Sequence, residues 1–370
     1  MANFWQNLSK PIWCLAPMEE VTDFAFREMF ARYSKNPHPG PLPKGEGAAD
    51  FVMFTEFINV DGLLHPEGFE KLKIDLKYSE AQRPIVAQLW GREPEKFFKA
   101  AQLIADLGFD GVDINFGCPQ QKEISGGTCA ALIREPKLAQ EIIAATKRGA
   151  GSLPVSVKTR LGYSKTDEME GWVKNLLEMD IAALTIHART KQEKSKVPAH
   201  WDLIAEAVKI RDEIFERSVI ARSAADEAIS TKKKIASSSR SDIAGDATPR
   251  NDTRTLIIGN GDIKSREEGL RKIDETKVDG VMVGRGAFGN PWFFRADGLQ
   301  PDIRERLLAM LEHAELFHKE FQNLKSFTIL RKHFKAYCSG FPGAHELRVK
   351  LMETKNLEET RSVVTAFLDG

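Results

Sequence analysis

The sequence predicts an α/β fold, a (β/α)₈ TIM barrel followed by a small C-terminal all-helical domain. Short apolar runs recur between Ile12 and Gly286, and an amphipathic segment such as Pro94–Leu107 follows most of them. Near-continuous apolar strands that alternate with helices are typical of a parallel sheet buried on both faces. Eight such units fit a closed barrel better than an open sheet. From Pro301 onward only helical patterns remain.

Each predicted strand is a short run of apolar residues with a length that suits a strand better than a helix. The segments between them place apolar residues at helical spacing, so helices are expected around the outside of the barrel. In chain order, the predicted strands are Ile12–Pro17, Phe51–Phe57, Pro84–Gly91, Gly111–Gly117, Pro154–Gly162, Ala183–Arg189, Leu256–Asp262 and Gly280–Gly286.

Two segments interrupt this alternation. Residues 36–49 are rich in Pro and Gly, and residues 217–254 are rich in Ser, Lys, Arg and Asp. A barrel needs only short connections at these points, and such a composition cannot pack a core, so both segments are predicted to be flexible insertions. A basic RNA-binding arm is the alternative for 217–254, disfavoured by its interspersed acidic residues and lack of aromatic residues. We therefore predict a barrel domain over residues 1–298 and a helical domain over residues 299–370.

Bulk composition excludes several classes of protein. The 370 residues carry 53 basic and 53 acidic side chains, so net charge gives no support to a nucleic-acid partner. No apolar stretch is long enough to span a membrane, and the N-terminus lacks the pattern of a signal peptide. The four cysteines lack metal-ligand spacing, so no metal is expected and reduced thiols in the cytoplasm are the simplest interpretation. We expect a monomer without an obligatory protein partner.

Polar side chains lie at the C-terminal ends of the predicted strands, which meet on one face of a barrel, where active sites lie. A buried Lys, Gln or His in an apolar strand costs several kcal/mol unless it is paired. Several such residues at one end therefore indicate a functional site. The first strand runs into Met18, and the polar residues at the other strand ends are Glu56, Gln88, Asn115, Cys118, Lys158, Arg160, His187, Arg189, Asn260, Asp262 and Arg285.

The last two predicted strands end in Gly259–Asp262 and Gly284–Gly286. Small residues at these ends let backbone N–H groups approach an anion, and barrels often bind phosphate there. The segment Gly284–Gly289 also matches G-x-G-x-x-G, but it closes the barrel rather than opening a βαβ unit. It therefore predicts a phosphorylated cofactor or substrate rather than a Rossmann site.

Cys118 is the candidate catalytic cysteine. Most free cysteines are small buried hydrophobic residues, but Cys118 follows a strand and precedes Pro119 in a turn facing the predicted site. Cys129, at the start of a helix near the same loop, is the rival. Cys14 and Cys338 lie in a strand and in the helical tail, where packing is the expected role.

Seven motifs together resemble the bacterial tRNA-dihydrouridine synthases, and they occur in that family's order over nearly the whole barrel. The helical tail, with KSFTILRKHFKAY and FPGAHELR, is also similar to the family. The motifs are APMEEVTDFAFR, QLWG, GVDINFGCP, VKTRLG, IHART, GNGDI and GRGAFGNPW. This chain departs from the family pattern at Glu123, where the family usually has a basic residue, and at Thr128–Cys129, where it usually has Gly-Ala.

The resemblance implies an FMN-dependent enzyme that uses NADPH to reduce the C5–C6 double bond of uridines in tRNA. It implies Cys118 as the general acid, with Asn115, Arg160 and Arg189 near the substrate. The residues implied to bind FMN are Pro17, Met18, Gln88, Lys158, His187, Asn260, Gly261, Asp262, Gly284 and Arg285.

The helical tail contains the candidate tRNA surface, because residues 321–345 include no acidic side chain. Leu330, Phe334 and Tyr337 share one helical face, which should pack inward. Four basic residues are then expected on the exposed side, where they would meet tRNA phosphates: Lys325, Arg331, Lys332 and Lys335.

Three other functions remain open from the sequence. One is a flavin barrel enzyme acting on free pyrimidines, which the helical tail disfavours. Another is a flavin-free phosphate-binding barrel such as an aldolase, which a yellow purified protein with flavin absorbance would exclude. The third is a non-catalytic tRNA-binding factor, disfavoured by the apparently intact set of cysteine and flavin residues.

Overall fold

A computed structural model describes residues 3–35, 50–236, 254–298, 300–322 and 324–370, with backbone alone at 122–123 and 221–236. The predicted insertion at 36–49 lies outside these residues. None of the described helices combines the length and apolar character needed to cross a membrane.

A closed parallel barrel forms the body of the molecule, as predicted. Eight strands follow one another around it in the order β2-β1-β9-β8-β7-β6-β5-β4, and pairing of β2 with β4 closes the ring. The ninth described strand, β3, is a two-residue extension that pairs with the end of β4. The strands are β1 Ile12–Leu15, β2 Phe51–Phe54, β3 Ile58–Asn59, β4 Ile85–Trp90, β5 Gly111–Phe116, β6 Val155–Arg160, β7 Ala183–His187, β8 Leu256–Asn260 and β9 Gly280–Val283.

Alternate residues of each strand face opposite sides of the barrel wall. Ile12, Cys14 and Ala16 belong to an interior cluster with Ile258 and Met282, while neighbouring residues such as Trp13 and Leu15 join the outer core beneath the helices. Trp5, which precedes the first strand, belongs to the interior cluster and is 2% exposed. The barrel is therefore a packed core, and its chemistry is confined to its C-terminal mouth.

Helices surround the barrel and continue into the tail. The described α-helices are α1 Phe24–Phe30, α2 Val60–Leu64, α3 Pro66–Leu72, α4 Pro94–Asp106, α5 Gln121–Ser125, α6 Pro136–Ala150, α7 Met169–Leu177, α8 Trp201–Ala236, α9 Arg266–Thr276, α10 Ile303–Phe321, α11 Arg331–Tyr337, α12 Ala344–Glu353 and α13 Leu357–Asp369. Short 3₁₀ or π turns occupy Phe4–Asn7, Ala31–Lys35, Glu80–Gln82, Cys129–Arg134, Thr166–Glu168, Arg285–Ala287 and Phe327–Leu330.

The second predicted insertion needs correction over its first half. Helix α8 continues through residue 217 to Ala236, so residues 217–236 are helical rather than structureless. The reason lies in local propensity, because Ala, Lys and Arg make up half of this stretch and are strong helix formers. Residues 237–253 lie outside the described part of the chain.

The tail forms its own hydrophobic cluster and packs on the barrel through α1. Leu330, Phe334 and Tyr337 are each 1% exposed within this cluster, which confirms the predicted inward face. At Gly289 the chain has a φ of +66°, and an added Cβ would lie 2.5 Å from the carbonyl carbon of Ala336. Only glycine permits this approach, which brings the loop after β9 against α11.

Candidate active site

A cavity of about 500 Å³ opens at the C-terminal mouth of the barrel. The ends of β1, β6, β7, β8 and β9 and their following loops form its wall. It brings together the predicted cofactor residues Pro17, Met18, Lys158, His187, Asn260, Gly261, Asp262, Gly284 and Arg285. Of the predicted set only Gln88 is absent from the lining.

The loops after β8 and β9 form one end of this cavity, where the sequence predicted a phosphate. Gly261 has a φ of +142°, a conformation that L side chains rarely adopt, and a Cβ there would lie 3.0 Å from the Cβ of Ala199. The Asp262 carboxylate accepts hydrogen bonds from Arg189 and, at 3.1 Å, from the exposed Arg285. The buried Arg189 is already paired with Asp262, whereas Arg285 is largely exposed, so Arg285 and the backbone at Gly261 are the groups that could meet an anion.

Lys158 and His187 line the inner wall of the cavity, Lys158 as a titratable cation and His187 as an uncharged ring. Burial, with the neighbouring Arg160, lowers the pKa of Lys158 to about 8. The Lys158 Nζ donates to Asn260 Oδ1 at 3.3 Å. Burial and the surrounding cations depress the pKa of His187 well below its ordinary value, so the imidazole is uncharged at neutral pH. Arg189 can only donate, so His187 Nε2 accepts at 3.3 Å and the ring proton is on Nδ1.

A buried amide and carboxylate network lies next to this wall, inside β4, β5 and β6. Gln88 Nε2 donates to Asp113 at 2.7 Å and Gln88 Oε1 accepts from Asn115 at 3.0 Å. Ser156 also donates to Asp113, and burial raises the pKa of this carboxyl group to about 6. Both polar atoms of the Gln88 side chain therefore have a partner in the barrel interior, and its contact with a flavin stays a prediction.

Cys118 occupies a turn that Asn115 holds in place. Asn115 Oδ1 accepts from the backbone N–H groups of Gly117 at 2.9 Å and Cys118 at 3.0 Å. Cys118 is 9% exposed, whereas Cys129 is fully buried. Cys118 also lies close enough to Lys158 and Arg160 to affect their pKa values. The geometry therefore gives Cys118 better access to the mouth than its rival.

Cys14 and Cys338 are buried as expected for packing residues. Burial raises the pKa of Cys14 well above the ordinary thiol value, and it raises that of Cys338 to about 12. Both remain thiols at neutral pH.

Arg160 and Arg189 were predicted to lie near the substrate, and both lie at the mouth, but their visible contacts are with the protein. Arg160 Nε donates to the carbonyl of Gly117 at 2.7 Å, and Nη1 donates to the carbonyls of Thr190 and Lys194 at 3.1 Å. Arg189, 2% exposed, donates to Val197 and Asp262. These side chains brace the loops of the mouth, and their contact with a substrate stays a prediction.

The expectation of a fully exposed basic face on the tail is wrong. Lys325 is mostly buried, with Nζ 2.8 Å from Glu56 Oε2 and 2.7 Å from Asp75 Oδ1. Arg331 is half-buried and donates to the Thr354 carbonyl at 3.2 Å. Lys332 pairs with Glu20 at 3.3 Å, so only Lys335 is exposed and without a carboxylate partner among the described residues. The sequence did not show these partners because they lie in the barrel or in the next helix.

Two functional features were missed. Asp113 is two residues before Asn115 on the same strand, so period-two alternation could have placed it on the same interior face. The Glu56–Lys325 pair had no local signal, since 269 residues separate its members.

Comparison with known proteins gives a consistent set of relatives. A family model described as "Dihydrouridine synthase (Dus)" matches residues 14–221 and 231–369. A "Probable tRNA-dihydrouridine synthase" of Staphylococcus aureus (strain MRSA252) is 39% identical over 366 residues, covering 99% of this chain and 95% of that protein. "Probable tRNA-dihydrouridine synthase 2" of Bacillus subtilis (strain 168) is 38% identical over 374 residues, covering 100% and 98%.

Among solved structures, the old yellow enzyme homologue of Zymomonas mobilis gives a TM-score of 0.42 at 14% identity, covering 76% of this chain and 86% of that one.

Proposed function

The chain belongs to the dihydrouridine synthase family, and from that premise we propose that this enzyme reduces the C5–C6 double bond of specific uridines in tRNA, with NADPH as the reductant and FMN as the cofactor. The observation that supports it most directly is the cavity at the barrel mouth, where nine of the ten expected cofactor residues meet, among them Lys158, which lies close enough to Cys118 for the cysteine to affect its pKa.

The residues of the cavity fit FMN. Its volume of about 500 Å³ lies within the range of small-molecule sites. The loops of Asn260–Asp262 and Gly284–Arg285 would hold the phosphate, because their backbone and Arg285 form an anion site. Lys158, His187, Pro17 and Met18 would hold the isoalloxazine ring, with Lys158 as the cation beside it. When bound, FMN would supply the hydride that is delivered to uracil C6.

Cys118 supplies the proton in this proposal. Its thiol gives a proton to uracil C5, so it must be protonated when it acts, unlike a nucleophilic thiolate. Asn115 accepts from two backbone N–H groups of the turn and Arg160 donates to the Gly117 carbonyl, so the backbone that carries the sulfur is held in place. Positioning of this kind is what general acid catalysis requires, because proton transfer depends on hydrogen-bond reach.

The substrate must enter from the mouth with its base turned out of the RNA stack. We propose that the helical domain, residues 299–370, contacts tRNA on one side of the mouth, with Lys335 as its exposed cation and Lys332 and Arg331 next to it. Contacts of this kind with phosphates position the RNA without reading its sequence.

The test uses purified protein, NADPH and tRNA that lacks dihydrouridine. We expect a flavin absorbance spectrum and dihydrouridine detected by mass spectrometry of the digested tRNA. Cys118→Ala should keep flavin content and flavin reduction by NADPH, while dihydrouridine formation falls by about 10²-fold or more, the scale for loss of a general acid. Cys129→Ala is the matched control and should keep most activity.

Two results would contradict the proposal. If the unaltered protein forms no dihydrouridine, the function is wrong. If both cysteine variants have the same activity, Cys118 is not the proton donor.

A further inference from the structure

We propose that the barrel carries a second tRNA-backbone contact, the rim patch, formed by Arg134, Tyr163, Lys191, Lys194 and Lys196. This inference rests on the proposed function and deepens it, because it names a surface that would bind RNA phosphates away from the helical domain. The patch lies on the loops after β6 and β7 and on the turn that precedes α6.

Two cations of the rim patch share one aromatic ring. The Arg134 guanidinium carbon is 4.1 Å from the Tyr163 ring centroid, and Lys191 Nζ is 4.7 Å from it. Lys191 Nζ is also 3.4 Å from the Tyr163 hydroxyl oxygen. Cations held this close repel each other, and the ring offsets only part of that repulsion. An anion bound close to both cations would offset the remainder.

The acidic side chains around the patch are already engaged elsewhere. Glu135 accepts two hydrogen bonds from Arg92, at 2.8 and 2.6 Å. Glu193 accepts from the Thr190 backbone at 2.7 Å and lies 2.9 Å from His200. Over the described part of the chain, no carboxylate lies within ion-pair distance of the four cations of the patch: Arg134, Lys191, Lys194 and Lys196. The patch therefore presents positive charge to an outside partner.

The position of the patch suits an RNA that spans the mouth. Strand β6 is the fourth strand from β1 in either direction around the barrel, so the two lie on opposite sides. The helical domain packs against the α1 side and contacts Glu56 after β2. Phosphate contacts at the rim patch and at the helical domain would therefore hold an RNA from both sides of the Cys118 turn.

The patch is also tied directly to the catalytic turn. The backbone N–H of Lys191 donates to Gly162 at 2.9 Å, which joins the two loops. Arg160 then bridges them to the turn, because it donates to the carbonyls of both Lys194 and Gly117. An RNA held at the patch would consequently be placed at a defined position relative to Cys118.

RNA is favoured over a nicotinamide dinucleotide as the occupant. None of the five patch residues lines the cavity assigned to the flavin, with which a hydride donor must make contact. Scattered lysines on exposed loops, without a pocket, suit a backbone of repeated phosphates better than one compact anion.

The experiment compares Arg134→Ala/Lys191→Ala with Arg148→Ala/Lys209→Ala, which removes the same charge from exposed positions further along α6 and α8. Binding of tRNA is measured by fluorescence anisotropy at several salt concentrations. We expect about tenfold weaker binding for the rim variant, the scale for losing one or two charge-assisted contacts. The slope of the logarithm of its tRNA-binding constant against the logarithm of the salt concentration, the salt slope, should be smaller in magnitude by about 1 to 2. The control variant should match the unaltered enzyme in affinity and in salt slope.

Flavin reduction by NADPH and the melting temperature are recorded for both variants, and Arg134→Lys/Lys191→Arg is included because it keeps the charge. Retained tRNA binding by this charge-keeping variant supports the inference. Equal affinity and salt slope in the rim variant and the control overturn it. A raised KM for NADPH with unchanged tRNA binding overturns it in favour of a dinucleotide site.

Dihydrouridine formation by the unaltered enzyme is measured alongside. Its absence overturns the proposed function whatever the binding data show, whereas unchanged binding by the rim variant overturns only the rim patch.

Discussion

The two sides of the barrel mouth use their cations differently. Beneath the helical domain, Lys325 lies between Glu56 and Asp75, and Lys332 pairs with Glu20. On the opposite side, the cations of the rim patch have no carboxylate within ion-pair distance among the described residues. The first arrangement joins two parts of the protein, and the second leaves charge for a partner.

A run of basic residues in the sequence therefore does not by itself identify an RNA-binding surface. The stretch 321–345 is free of acidic residues in sequence, yet the barrel supplies carboxylates to two of its four predicted surface cations. A buried cation with a carboxylate partner is unavailable to a phosphate, since separating the pair leaves an uncompensated charge. Three predictions test this comparison, in order of expected effect.

The largest effect is expected from Lys325→Ala. It leaves Glu56 and Asp75 without their shared cation at a site where Glu56 is 7% exposed. Breaking a buried pair on one side typically costs about 3–5 kcal/mol, so the free energy of unfolding at pH 8 should fall by about this amount. Chemical denaturation measures it.

Lys332→Ala is the matched control on the same side of the mouth. Its pair with Glu20 is largely exposed, so its loss should change the free energy of unfolding by less than about 1 kcal/mol. Equal effects of the two substitutions would show that Lys325 is no more important to the domain contact than a surface lysine.

A smaller effect is expected on the pH dependence of stability. Burial raises the pKa of Glu56 to about 7, although Lys325 opposes the shift. Between about pH 4 and pH 7 the folded protein therefore keeps a proton on Glu56 that the unfolded chain has released. The contribution of Glu56 to stability is consequently complete below about pH 4 and is lost as the pH rises through 7.

Between pH 5 and 8 the unaltered protein should thus lose about 1–3 kcal/mol of unfolding free energy that Glu56→Gln does not lose. Denaturation at several pH values gives both curves. Parallel curves would show that Glu56 does not carry this proton.

The smallest effect is expected from Lys335→Ala, the exposed cation of the tail. Loss of one solvent-exposed phosphate contact should weaken tRNA binding about two- to threefold and reduce the salt slope by at most about 1. Anisotropy titrations against the unaltered enzyme measure both. A tenfold or larger loss would mean that the helical domain, rather than the rim patch, supplies most of the phosphate contacts.

The predicted strands were all found, but each extends one to three residues too far at its C-terminal end. Phe51–Phe57, for example, is a strand only to Phe54, and Glu56, which follows it, contacts Lys325 of the tail. At the mouth the backbone turns into the loops that form the site. The hydrophobic pattern does not show where a strand ends and its loop begins, because apolar residues such as Phe57 also occur in the loop.

The candidate site was predictable where it depends on strand ends. Residues such as Lys158, His187 and Asn260 meet in the cavity because the C-terminal ends of parallel strands converge on one face of a barrel. Gln88 and Asn115 were correctly predicted to face the barrel interior, but they were also predicted to contact a cofactor or a substrate. The hydrogen bonds seen in the structure join their side chains to each other, to the Asp113 carboxylate and to the backbone N–H of Cys118. Which polar atoms remain free depends on neighbours from other strands.

The eight-stranded barrel, the helical tail and the cysteine turn could all be predicted from the amino-acid sequence. Each of these follows from local pattern: the period of apolar residues, the Gly and Pro residues at turns, and polar residues at strand ends. Which cations are available to bind an outside anion depends on contacts that only the folded chain makes. Lys325 is neutralised by a carboxylate 269 residues away, and Arg134 and Lys191 meet on Tyr163 from separate loops. Electrostatic partnership depends on distance in space, which local sequence does not encode.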